Sequence, residues 1–188
     1  MAAPVAPPRA TYEDLLRVPD HLVAEIIDGE LVTSPRPAMR HAAAASILLH
    51  DILAQFDRRG PGRPGGWVIL MEPELHVVGQ VMVPDLAGWR TEHLPRIGDQ
   101  AYFEIAPDWA CEILSPSTMA LDRTRKMRHY AAAGVSHLWL LDPQPETLEI
   151  YRQEADSWRV ITTVAGAVNL RAEPFQAMEL ELGRVWAR

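Results

Sequence analysis

Short apolar runs separated by turn residues, with two longer stretches of helical period between them, divide this chain into elements. Residues 11–18 open with Thr11 and carry Asp14 three positions on, the reciprocal arrangement that caps a short helix. Residues 22–27 (Leu-Val-Ala-Glu-Ile-Ile) and 30–33 flank Asp28-Gly29, whose tolerance of left-handed backbone predicts a tight hairpin. Ser34-Pro35-Arg36-Pro37 then breaks the chain. From 38 to 59, Ile47, Leu48, Ile52, Leu53 and Phe56 form one apolar stripe, which predicts the longest helix. A Gly/Pro loop over 60–66 ends it, with Arg58, Arg59 and Arg63 in or beside it.

Residues 67–71, 74–78 and 81–89 read as three successive strands, and 90–103 as irregular, with one helical turn at most. Residues 109–114 are nearly all apolar, as expected of a strand covered on both faces. A helix is predicted over 119–133, ending at Gly134, and a second buried strand over 137–141 before Asp142-Pro143. Residues 147–152 and 158–164 suggest a meander, and the tail to 188 one short strand. The strand–helix–strand succession over 109–141 implies a parallel pair with a right-handed crossover. The expected fold class is therefore α/β, with a mixed central sheet, helices on both faces, an N-terminal hairpin and a C-terminal β-meander. Residues 1–10, rich in Ala and Pro, are expected to form a flexible tail, and 11–188 a single domain.

Composition narrows the picture. A chain of 188 residues, 48% apolar and 23% charged, can bury a core without staples. The net charge of −7 argues against a broad, non-specific nucleic-acid coat but leaves room for a local basic strip. Cys111 is the only cysteine, which weakly favours a reducing compartment. The N-terminus lacks the basic start and long apolar run of a signal peptide, and no apolar stretch reaches membrane-spanning length. A cytoplasmic location, with no membrane partner, is the expectation. The cations are more informative: of 18 lysines and arginines, Lys126 is the one lysine. Arginine does not replace a compact ammonium where a point charge must fit against a water or a phosphate. The alternative is a surviving codon whose lysine pairs with Asp122 one turn away.

No nucleophile elbow, phosphate-binding loop or dinucleotide fingerprint occurs, nor an HExxH or paired CxxC motif. His41 and His50 are half a turn out of phase on one helix and cannot share a metal. His137, inside an apolar strand, reads as a core histidine. Asp85 and Glu112 are different, because each is a lone carboxylate within an apolar run, costly unless partnered. If their strands are neighbours, the two suit a shared Mg²⁺ or Mn²⁺. Otherwise, backbone N–H groups or an arginine would satisfy them. Asp122, Lys126 and Tyr130 recur every four residues on one helical face that could aim the lysine at that cation. Arg123, Arg125, Arg128 and His129 form a basic strip, either a phosphate contact or a solvated helix face.

The fragments Glu25-Ile26-Ile27-Asp28-Gly29-Glu30-Leu31, Val83-Pro84-Asp85 and Glu112-Ile113-Leu114-Ser115-Pro116-Ser117-Thr118 occur in order. Asp122 with Lys126 follows, then Gly134-Val135 through Leu141-Asp142-Pro143. Together they resemble the Uma-two family of restriction-endonuclease-like proteins, within the PD-(D/E)XK nuclease superfamily, from about Tyr12 onward. The resemblance implies a restriction-endonuclease-like α/β/α core. It matches Asp85 to the superfamily's PD aspartate and Glu112 to its second acid. Leu114 stands where the motif lysine would be, and the resemblance transfers that role to Lys126 on the following helix. Glu25 matches an early glutamate and His41 a histidine at the start of the long helix.

What the resemblance implies is a metal-dependent endonuclease acting on DNA. Asp85 and Glu112 would be metal ligands for Mg²⁺ (or Mn²⁺), and Glu25, Asp85, Glu112 and Lys126 the catalytic set. A homodimer would supply two sites for a double-strand cut. The alternative is a nuclease-fold protein that binds nucleic acid or protein without cutting, since a fold does not establish an activity.

Overall fold

The structure, a computed structural model, describes residues 9–56, 65–155 and 157–186. Thr11 caps α1 (Tyr12–Leu15), shorter than expected, through the anticipated exchange with Asp14. β1 (Leu22–Ile27) and β2 (Glu30–Pro35) form the hairpin. Asp28 and Gly29 both adopt positive φ, at 57° and 81°, which matches the twist of the flanking strands. α2 (Met39–Phe56) buries Ala44, Ala45, Leu48, Ile52 and Phe56. The predicted end of this helix, with Arg58, Arg59 and Arg63, lies outside the described residues.

β3 (Trp67–Met71), β4 (Leu75–Val77) and β5 (Gln80–Met82) follow, then β6 (Leu86–Arg90). The single strand expected over 81–89 is thus two strands in two different sheets. β5 belongs to a four-stranded antiparallel sheet of order β2-β1-β5-β4, and β6 to the central sheet. Pro84 at the break has no N–H to give a ladder, and the chain changes sheets there. Asp85 therefore stands at a crossing between sheets rather than inside a buried strand, with its side chain 18% exposed.

β7 (Trp109–Ile113), β8 (His137–Asp142), β9 (Thr147–Glu154) and β10 (Ser157–Ala165) complete a six-stranded sheet of order β10-β9-β8-β7-β6-β3. β7 and β8 are parallel and the other pairs antiparallel, so the sheet is mixed as expected. The crossover helix is not continuous. α3 (Met119–Leu121) passes through a π-helical turn, Asp122–Lys126, into α4 (Met127–Ala132), and Gly134 at φ 83° ends it. π-turns concentrate at functional sites. The tail holds two short paired strands, β11 (Asn169–Leu170) and β12 (Leu180–Glu181), and a helix, α5 (Leu182–Trp186), instead of one strand. Leu182 and Val185 are buried in the core, and Arg184 reaches Asp51 of α2 at 3.0 Å.

Alternation along the central strands sorts two cores. Trp109, Cys111, Ile113, Trp139 and Leu141 point to the face covered by α2 and α5. Trp67, Trp109 and Trp139 surround Phe175 with ring centroids 4.9–5.7 Å apart, tilted or edge-on. Ala110, Leu138 and Leu140 point the other way, toward Tyr130 of α4 and toward Ile27, Leu75 and Met82 of the smaller sheet. That second layer is shared by a helix and a sheet, a departure from helices alone. Gly88 fits where the tryptophans close over β6: a Cβ there would lie 3.2 Å from Trp109 and 3.3 Å from Trp67. Gly88→Val is expected to lower the unfolding free energy by about 1–3 kcal/mol through overpacking. Urea denaturation measures it, and an unchanged midpoint would contradict this packing.

Candidate active site

The pairing of β6 with β7 places the two lone carboxylates. Leu86 lies opposite Cys111 and Gly88 opposite Trp109, so the register carried one residue back sets Asp85 opposite Glu112. Leu86 and Cys111 face the tryptophan core, so Asp85 and Glu112 alternate to the other face, toward the smaller sheet. Residues opposed in this way have Cβ atoms about 4.5–5.5 Å apart. Asp85 Oδ2 accepts the Ile113 N–H at 2.6 Å, and Oδ1 meets His41 Nε2 at 3.2 Å.

Lys126, carried on the π-turn, is buried to 3% side-chain exposure and points inward. Its ammonium lies 2.8 Å from Glu112 Oε1 and 2.9 Å from Glu25 Oε1, and donates to the Val83 carbonyl at 3.2 Å. Three N–H groups thus meet three acceptors, with Asp122 Oδ1 a further 3.7 Å away. An arginine fork has five donors in a plane and would not fill this tetrahedral set. Glu25 also accepts the Val83 N–H at 2.8 Å, and the Tyr130 hydroxyl donates to Glu112 Oε1 at 2.5 Å. The face predicted for Asp122, Lys126 and Tyr130 therefore points at Glu112. Glu25, Asp85, Glu112 and Lys126 share one place.

Burial dominates the electrostatics. It pushes the Glu112 carboxyl well above the usual range; Lys126 opposes this, while Asp122, Asp85 and Glu25 reinforce it. Asp122 is raised for the same first reason, against the pull of Lys126. Burial pulls the Lys126 ammonium down, but Glu112 and Glu25 more than offset it and hold its pKa well above the ordinary lysine value. Burial also lowers His41, and the bond and charge of Asp85 reverse that into a net rise.

These side chains line a cleft of about 270 Å³ whose walls also include Ser34, Arg36, Glu72 and the Ser115–Thr118 turn. Its lining carries five carboxylates (Glu25, Glu72, Asp85, Glu112 and Asp122) against Arg36, Lys126 and the His41 imidazole, which Asp85 holds. A surplus of carboxylate oxygen of this kind is the donor chemistry of a hard divalent cation, which Asp85 and Glu112 could hold with water in the remaining positions. Among the described residues, no three His, Cys, Asp or Glu side chains already surround one point at ligand spacing.

Other candidates fall away. Arg123 pairs with Glu149 of β9, Arg125 with Asp28 and Glu30, and Arg128 and His129 with Asp28. The basic strip is thus tied into ion pairs that dock the helix on the hairpin and on β9. His137 is partly buried against Glu173 at 3.4 Å rather than enclosed in apolar core, and burial lowers its pKa. His50 lines a separate cavity on the far side of α2. Arg36 and Glu72 join the cleft from turn segments that the sequence shows only as breaks between elements, and the Ser115, Ser117 and Thr118 hydroxyls join it from the turn after Leu114.

Lys126→Met is expected to lower stability by about 3–5 kcal/mol near neutral pH, because it strands buried carboxylates without their cation. Glu112 would then need a proton to stay folded. Above the ordinary glutamate range the folded variant binds more protons than its unfolded chain, so its stability rises as pH falls. Melting temperature measured from about pH 8 down to about pH 5 should climb more steeply in the variant than in the wild type, and equal slopes would contradict this pairing.

No helix among the described residues is long and apolar enough to cross a membrane. A crystal structure described as a "putative nuclease belonging to DUF820", from Anabaena variabilis, superposes with a TM-score of 0.75 at 24% identity, covering 95% of this chain and 98% of that one. At that identity the likeness speaks for the fold, which is the restriction-endonuclease-like α/β arrangement expected. No curated protein matches the chain significantly. Residues 10–183 match the Uma2 family, described as "Putative restriction endonuclease", and the chain belongs to that family.

Proposed function

We propose that this protein is a divalent-cation-dependent endonuclease that hydrolyses phosphodiester bonds in DNA. The observation that carries the reading is the meeting of Asp85, Glu112 and Lys126 at one open cleft, with the two acids opposed at the ends of adjacent strands. Membership of a family described as restriction endonucleases supports the nuclease class.

Hydrolysis of a phosphodiester needs an activated water and charge to offset the negative charge that grows on phosphorus. Asp85 and Glu112 would hold Mg²⁺ (or Mn²⁺), which when bound supplies Lewis acidity to water and to the phosphoryl oxygens. Lys126 keeps its proton throughout the working pH range and presents a fixed positive charge beside Glu112. Glu25 and Asp122 hold that ammonium in position, so little reorganisation is left for the reaction itself. Cutting both strands calls for two such clefts, and we include a homodimer and a cytoplasmic setting in the proposal.

A second reading has one observation in its favour. Lys126 already compensates Glu25 and Glu112 directly, an arrangement that also suits a non-cutting interaction protein on a nuclease fold. Titration calorimetry with Mn²⁺, alongside cleavage of supercoiled plasmid in Mg²⁺, separates the two. The wild type is expected to bind Mn²⁺ and cut. Asp85→Asn should keep the Ile113 hydrogen bond and melting temperature but lose Mn²⁺ binding and at least about a hundredfold in cleavage. A wild type that neither takes up Mn²⁺ nor cuts would favour the second reading.

A further inference from the structure

We infer that Arg36 is the residue that positions a phosphate of the bound strand, and that Glu72 occupies its guanidinium when no strand is present. The inference rests on the nuclease reading and adds to it a residue outside the Asp85–Glu112–Lys126 set.

Charge poses the problem. A polyanion approaching the cleft meets five carboxylates, opposed among the lining residues by Arg36, Lys126 and His41, of which His41 is largely buried against Asp85 at 3.2 Å. Lys126 is 3% exposed and its donors are committed to Glu25, Glu112 and Val83. Arg36 is 54% exposed, which leaves it the one lining cation that can meet a strand at the mouth. Without such a contact, the field would repel the substrate.

The present partners of Arg36 are of the kind that is easily exchanged. One NH2 donates to the Asp20 carbonyl at 2.8 Å, and NH1 stands 3.5 Å from Glu72 Oε2, itself 35% exposed. An ion pair so open to water contributes little to folding. A guanidinium has five N–H donors in a planar fork that matches two phosphate oxygens, so most of its capacity is in reserve. Glu72 then acts as an internal stand-in for the phosphate.

Placement supports the same role. Arg36 lies between Pro35 and Pro37, whose rings restrict the backbone and aim the side chain from a stiff segment. Arg36 and Glu72 line the cleft and also a second cavity of about 360 Å³ beside it, and with Val23 and Val83 they make up the wall the two share. The second cavity adds Asp20 and Glu74 and has no cation except Arg36. Arg36 is thus the one lining cation the second cavity offers a strand phosphate. The competing explanation is that the pair simply ties the end of β2 to the residue following β3.

Binding of a short fluorescein-labelled DNA duplex, followed by anisotropy in Ca²⁺ across a salt series, and steady-state cleavage in Mg²⁺ decide between them. Arg36→Gln should raise Kd and KM about tenfold, leave kcat within about twofold and make the log Kd–log salt slope shallower by about one. Arg36→Lys should restore the slope, and Glu72→Gln should lower KM. Arg159→Gln, an exposed change on β10, should leave both unchanged. A wild type that binds and cuts, with Arg36→Gln matching it in KM and slope, would overturn this inference and leave the nuclease reading standing. A wild type that neither binds nor cuts would remove both.

Discussion

An ammonium buried as deeply as that of Lys126 is tolerable only if each of its N–H groups finds an acceptor and its charge a counter-charge. The acceptors come from three separate pieces of chain: Glu25 on β1, Val83 in the link between β5 and β6, and Glu112 on β7. Lys126 therefore joins the smaller sheet, the central sheet and the crossover helix at one point. The π-turn presents Asp122 and Lys126 on the same buried side. The change of sheet at Val83-Pro84-Asp85 brings the second acid to the same spot. If any of these elements moved by a residue, the ammonium would lose one of its acceptors.

The same cluster sets the electrostatics of the cleft. One lysine does not neutralise the acids around it, and burial makes the surplus expensive, pushing the Glu112 and Asp122 carboxyls upward. Proteins keep such unfavourable charge where function uses it, and offset it elsewhere. Here the offset is large: two cores on either face of the sheet, the tryptophan layer behind β7 and the ion pairs that dock the hairpin on the helix. The site is carried on strand ends and a helix rather than on mobile loops, which suits precise positioning.

Much of this was legible in the chain. Asp28-Gly29 announced the hairpin, the apolar runs at Trp109 and His137 the parallel pair, and the spacing of Asp122, Lys126 and Tyr130 the face that meets Glu112. What stayed hidden depends on hydrogen-bond register or on distant partners. Apolar residues continue on both sides of Pro84, so pattern alone does not reveal that β5 and β6 belong to different sheets. A π-turn has the same side-chain spacing as a helix to within a residue. α5 is too short to display a period. The arginines of the basic strip look free until Asp28 and Glu149, 26 to 100 residues away in sequence, arrive beside them. Arg36 sits in a segment that reads only as a chain break.

We propose that Asp85 and Glu112 together hold a divalent cation beside the Lys126 ammonium. Anomalous diffraction from crystals soaked in Mn²⁺ tests it most directly. A single strong peak is expected within bonding distance of Asp85 and Glu112 oxygens, absent from crystals of Asp85→Asn. No peak in the cleft at saturating Mn²⁺, or a peak held only by residues outside this pair, would contradict it.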